Sequence, residues 1–188
     1  LGNHDFDNGL DGLLAQLPHA KFDILSANYD FTNTVMDGFV EPYKIYSVDG
    51  IKIGVFGLGI ELKGLVTKKL YKETLYLDPI EIAQDMSRTL KEEQHCDLVI
   101  CLSHLGFDYK NNPQTASDTK LATNTENIDL IIGGHTHTFL DKPVIRRNRK
   151  DAPVLVNQVG CYGINLGRID FYFDANKKSS ADGVSITV

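Results

Sequence analysis

Two short apolar runs, Leu98-Val99-Ile100-Cys101-Leu102 and Ile128-Asp129-Leu130-Ile131-Ile132, restrict the possible folds of this chain more than any other feature. Each is nearly continuous in apolar residues, which reads as a strand buried on both faces, as in a parallel sheet. Each also ends in a histidine loop: Ser103-His104-Leu105-Gly106 after the first, Gly133-Gly134-His135-Thr136-His137-Thr138 after the second. Between them, residues 108–116 read as a polar loop and 117–124 as a helix. Strand, loop, helix, strand, loop is an α/β arrangement. Open α/β sheets collect ligands beyond the carboxyl ends of their strands, so His104, His135 and His137 are expected to converge at one sheet edge.

The remaining chain fits the same class. Leu10, Leu13, Leu14 and Leu17 recur at helical spacing over 8–17, with Pro18 expected to close the helix. A strand is expected over 22–29. Residues 42–48 and 51–58 form a hairpin turned by Asp49-Gly50, a strong turn pair, and 61–77 reads as a surface loop. Asp78, Pro79 and Glu81 open a helix reaching about residue 94: a capping acid, a proline in the first turn and an acid that suits the dipole. Further strands are expected over 143–147 and 154–159 as a second hairpin, and over 167–173. Residues 175–183 are polar and expected to be loose.

Size and charge bound the function. With 188 residues and 42% hydrophobic content, the chain suits one domain. A net charge of −6 and no Lys/Arg block exclude a generic surface for nucleic-acid polymers, so an anionic substrate would need local positive charge such as a metal. Cys96, Cys101 and Cys161 match no zinc-ligand spacing, and the first two read as small buried hydrophobes. No apolar stretch is long enough to span a bilayer.

The chain opens on Leu1-Gly2-Asn3-His4-Asp5-Phe6-Asp7. Asn3 offers an amide oxygen as a neutral hard ligand; a plain turn residue is the alternative. Asp7 lies three residues beyond His4, a helical spacing that puts its carboxylate beside the imidazole to hold the tautomer; a helix cap is the alternative. Histidine is the commonest transition-metal ligand, and the glycines at 133 and 134 permit a tight turn from which His135 and His137, at i and i+2, can straddle two ions. His19 and His95 read as ordinary turn and helix-end residues.

Together, Gly2-Asn3-His4-Asp5, Ser103-His104 and Gly134-His135-Thr136-His137 resemble the motifs of the calcineurin-like metallophosphoesterase superfamily, and the longer strings around the first and third resemble its 5′-nucleotidase branch. The likeness runs to Leu166-Gly167-Arg168-Ile169-Asp170-Phe171, near the end of that branch's catalytic domain. It implies an α/β fold of four-layer αββα form and two divalent ions, with zinc, manganese, iron, cobalt and magnesium left open. By carry-over, Asn3, His104 and His135 match ligands of one ion, His137 matches a ligand of the other, and His4 and Asp7 match the catalytic pair. Asp5 stands where Glu is more usual. The superfamily's upstream Asp-x-His and Gly-Asp motifs do not occur in the chain.

The resemblance therefore implies residues 1–174 as a catalytic domain incomplete at its N-terminus and lacking its first strands, with 175–188 a polar C-terminal segment. It implies at most a partial metal site and little turnover by this chain alone. The implied parent activity is phosphomonoester hydrolysis on nucleotides by two-metal activation of water. The alternatives are a phosphodiesterase of the same superfamily, or a non-catalytic metal- or phosphate-binding fragment. Implied partners are a nucleotide or other phosphomonoester, a separate nucleotide-binding C-terminal domain, and a second copy through an exposed sheet edge. A periplasmic or envelope location is implied by the resemblance alone. Residues contacting the substrate are not assigned; Phe107, Asp108 and Tyr109 either line a site mouth or form an ordinary exposed loop.

Overall fold

Asp49 and Gly50 both take positive φ, 49° and 80°, which is the backbone a two-residue hairpin turn requires. They join strands that pair in antiparallel register from Val48↔Ile51 to Tyr43↔Phe56. The computed structural model describes residues 1–176 and 179–188. In chain order, a 3-10 turn over Asn3–Phe6 leads into α1 (Gly9–Gln16) and a second 3-10 turn, Leu17–His19. Then come β1 (Tyr29–Asp30), β2 (Tyr43–Val48), β3 (Ile51–Leu58), α2 (Lys68–Tyr71), β4 (Leu75–Tyr76) and α3 (Pro79–Arg88), which continues as a π-helical turn over Thr89–Glu93. β5 (Leu98–Ser103), α4 (Asp118–Asn124), β6 (Leu130–Ile132), β7 (Val144–Arg147), β8 (Pro153–Asn157), β9 (Asn165–Phe173) and β10 (Ser179–Thr187) complete the chain.

The main sheet has the order β2-β3-β5-β6-β8-β7. β3, β5, β6 and β8 run parallel, with β2 and β7 antiparallel at the edges. This is the mixed α/β fold expected from the two apolar runs. Register aligns Phe56, Cys101, Ile131 and Val156 in one row across four strands. All four are fully buried in a cluster with Ala83 and Leu90 of the α3 helical segment and Leu121 and Ala122 of α4. Helices therefore cover this face.

The opposite face is less covered. Leu102 and Ile132, paired in register, remain 43% and 42% exposed. The expectation of strands buried on both faces thus holds for the helix side only. An open cavity of about 740 Å³ runs beside Leu102, lined also by Leu1, Leu13, Phe22 and Leu25. The sheet edges are β2 and β7, which expose Tyr46, Val48 and Ile145, so apolar surface lies both on this face and on the edge strands.

Several local expectations change. Residues 22–29 do not form a strand: only Tyr29–Asp30 pairs, with β4, and Leu25 makes an isolated bridge to Glu41. Leu25 and Tyr29 are buried there while Phe22 is exposed. Pro18 lies inside a 3-10 turn that continues from α1, because proline fits a first-turn position. The supposed loop over 61–77 contains α2 and β4. The segment expected to be loose after residue 175 carries β10, which pairs antiparallel with β9 from Ser179↔Phe173 to Thr187↔Asn165. Its side chains alternate only weakly, so pairing with β9 orders it where hydrophobic pattern gave no signal. Lys177 and Lys178 within that segment lie outside the described residues.

Candidate metal centre and active site

The site begins with a turn held from below. Phe6, fully buried, packs edge-on against Tyr29 at 5.4 Å and stacks on Phe31 at 6.4 Å between ring centroids. That anchor fixes the Asn3–Phe6 turn, and the Gly2 N–H donates to Asp5 Oδ2 at 2.7 Å. Asn3 is buried. Its Oδ1 lies 3.2 Å from His104 Nε2 and 3.1 Å from His135 Nδ1. The two imidazoles meet edge to face at 5.3 Å. Residues from the chain start, the end of β5 and the loop after β6 thus converge on one amide oxygen; of the three histidines expected to meet from strand carboxyl ends, His104 and His135 share it.

Glycine makes the approach possible. A Cβ on Gly2 would lie 2.8 Å from three atoms of the His104 ring, and one on Gly134 would lie 3.0 Å from its Nδ1. His135 and His137 both sit in the left-handed region, at φ 67° and 52°, a conformation histidine adopts more readily than most residues. The loop is braced by Gln158. Its Nε2 donates to Gly134 O at 2.7 Å, and its Oε1 accepts from Thr136 Oγ1 at 3.1 Å and from the Thr138 N–H. The Phe107 N–H donates to Thr136 Oγ1 at 3.0 Å, joining this loop to the one after β5.

The electrostatics favour neutral imidazoles. Burial, then the neighbouring His135, pushes His104 down to about 4; burial, then His137 and His4, lowers His135. At neutral pH each ring therefore keeps a lone pair, which metal coordination requires. The 3.1 and 3.2 Å separations approach the spacing of neighbouring donors around one ion bonded at about 2.0–2.1 Å. An amide oxygen and two neutral imidazoles thus fit one divalent cation. Among the described residues, no group of three or more His, Cys, Asp or Glu side chains gathers to hold an ion, so this donor set depends on the amide of Asn3.

His137 packs edge to face with Tyr162 at 6.2 Å between ring centroids and acts electrostatically on His135. His4 and Asp7 are exposed, and His4 Nδ1 lies 3.0 Å from Asp7 Oδ2. The pairing arises as sequence spacing predicted, in a 3-10 turn whose i and i+3 side chains eclipse. The large cavity touches this region at His4 and Asp5. Tyr109, expected at a site mouth, instead turns back to donate to Leu105 O at 2.7 Å.

Sequence reading gave Ser103 no role beyond its place before His104, and gave none to Asp118 or Gln158. Asp118 followed a helix cap, where acids are routine, and carried no signal of its own. Gln158 fell inside the strand expected over 154–159, where a polar residue was the one available hint.

Residues 1–139 match the profile of the calcineurin-like phosphoesterases. The chain belongs to that family. Among relatives of this phosphoesterase chain, the trifunctional nucleotide phosphoesterase protein YfkN of Bacillus subtilis is 33% identical, over 100% of this chain and 14% of its own length. The 5′-nucleotidase of Vibrio vulnificus is 31% identical, over 92% of this chain and 34% of its own. In structure, the 5′-nucleotidase precursor of Thermus thermophilus superposes with a TM-score of 0.87 at 29% identity, covering 100% of this chain and 38% of that one. The phosphoesterase chain therefore spans between about a seventh and about a third of the length of these curated relatives.

Proposed function

We propose that this chain is the catalytic part of a metal-dependent phosphomonoester hydrolase of 5′-nucleotidase type, acting on nucleotides. The observation that carries the reading is the shared placement of His104 and His135 on Asn3 Oδ1 at 3.2 and 3.1 Å. In this reading Asn3, His104 and His135 hold one divalent ion, and His137 contributes to a second. Bound ions would supply Lewis acidity, neutralising phosphoryl charge and activating water.

The chain's own part in catalysis is the exposed pair. Asp7 Oδ2 accepts the proton of His4 Nδ1, which leaves Nε2 free to face substrate. A protonated Nε2 can hydrogen-bond the phosphoryl oxygens and donate to the leaving oxygen. Phosphoryl transfer asks a protein mainly for positioning and charge, which this neutral donor set beside an oriented imidazole supplies. A phosphodiesterase is the second reading, compatible with the Bacillus subtilis relative, whose description as a nucleotide phosphoesterase is not restricted to monoesters.

The test uses the full-length protein and its metal content. His135→Ala should lower metal content and AMP hydrolysis together. His4→Ala should lower kcat by about 10²–10⁴ while leaving the metal in place. Unchanged metal in the first variant defeats the ligand assignment. Assays on AMP, bis(p-nitrophenyl) phosphate and a cyclic nucleotide separate the two activities. A further nucleotide-binding domain in the parent is supported by the greater length of the relatives, and an envelope location by the precursor designation of the Thermus protein. Cell fractionation tests the latter.

A further inference from the structure

Asp118 is fully buried, yet one of its oxygens goes unused. Oδ1 accepts the hydroxyl of Ser103, whereas Oδ2 has no hydrogen-bond partner among the described residues. An unpaired carboxyl oxygen in an apolar interior is costly, so its surroundings matter. On one side Ser103 directly precedes His104, and the same hydroxyl accepts the Leu105 N–H at 3.1 Å, bracketing that histidine. On the other side a Cβ on Gly133 would lie 2.0 Å from Asp118 Oδ2. The second oxygen is therefore pressed against the backbone that leads to His135. Asp118 also donates its N–H to Gly106 O at 2.8 Å.

We propose that Asp118 is a positioning residue for metal binding: its buried carboxyl spans the loops after β5 and β6 and sets the separation at which His104 and His135 meet Asn3. The inference rests on the metal-centre reading above. Burial, offset in part by the Ser103 hydrogen bond, pushes the Asp118 carboxyl up to about 7. The neutral acid and an asparagine amide are nearly isosteric, which supplies a conservative replacement. Asp118 reaches no substrate; it acts on the imidazoles through Ser103 and the Gly133 backbone.

The test measures Zn²⁺ affinity of the full-length protein by competition with a chromophoric chelator, with thermal melting followed in parallel. Asp118→Ala should weaken Zn²⁺ binding about 10–100-fold, the range typical of residues that orient metal ligands. Asp118→Asn should restore affinity to within about threefold, and Ser103→Ala should weaken it with no further loss when added to Asp118→Ala. An Asp118→Ala protein that melts lower but binds Zn²⁺ normally would overturn the inference, as would equal losses in the Ala and Asn variants. If Asp118→Ala does not fold, Ser103→Ala decides: unchanged affinity there overturns the proposal. A wild-type protein that binds no Zn²⁺ defeats the metal-centre reading as well, whereas normal binding in every variant defeats this inference alone.

Discussion

At residue scale, single atoms decide what the candidate site tolerates. Gly2→Ala would drive a methyl group into the His104 ring, so the imidazole must move; metal titration should show weaker binding while the melting temperature changes little. Phe56 carries a different burden as a fully buried member of the core row. Phe56→Ala should cost about 3–5 kcal/mol in denaturant unfolding. Asp118 gives the clearest pH signature. Its folded pKa is raised, to about 7 from 3.8, first by burial. The native state then keeps a proton that the unfolded chain releases, so this group's stabilisation is complete below about 3.8 and fades as pH rises through 7. Cys101 and Tyr109, its titratable neighbours, are themselves raised, first by burial and then by this carboxyl. Melting curves from pH 5 to pH 8 should slope downward more steeply for the wild type than for Asp118→Asn, and parallel slopes would refute the assignment.

At the scale of elements, the loops that hold histidines are packed too closely for ordinary substitution. Gly133→Ala places its new carbon 2.0 Å from Asp118 Oδ2, and overpacking of this kind costs roughly 1–3 kcal/mol. Urea unfolding should reveal that loss, together with weaker metal binding. Legibility also differs by element. β5, β6 and the Asp49-Gly50 hairpin were readable because uninterrupted apolar runs and a positive-φ turn are local signals. The helix expected over 117–124 is observed over Asp118–Asn124, capped by Ser117, whose hydroxyl accepts the Lys120 N–H. The 22–29 segment misled because its pairing is confined to isolated contacts, such as the Leu25 bridge to Glu41 and the Ala27 N–H to Gly57 O, rather than a continuous ladder. β10 escaped notice because its order comes from β9, a tertiary cause absent from its own composition. Among site residues, Asn3, His104 and His135 were legible through motif and place. Asp118 was not, since its role depends on a Gly133 backbone 15 residues further along.

At the scale of the whole molecule, helices cover one side of the sheet and leave the other partly open. Leu102 and Ile132 lie side by side on that open face, which makes the 188-residue chain, produced alone, a candidate to bind the dye ANS. Leu102→Lys combined with Ile132→Lys should reduce the dye signal without large loss of melting temperature; an unaltered signal would place the dye elsewhere. The convergence at Asn3 has a further consequence for folding. Its amide oxygen meets one imidazole 101 residues away and another 132 residues away. Closing spans that long is entropically slow to reward, so the pocket is expected to complete after the sheet has aligned. An ion held there would then behave as a reversible cross-link between the first turn and the middle and far strands, and its departure would be felt as loosening of the entire chain.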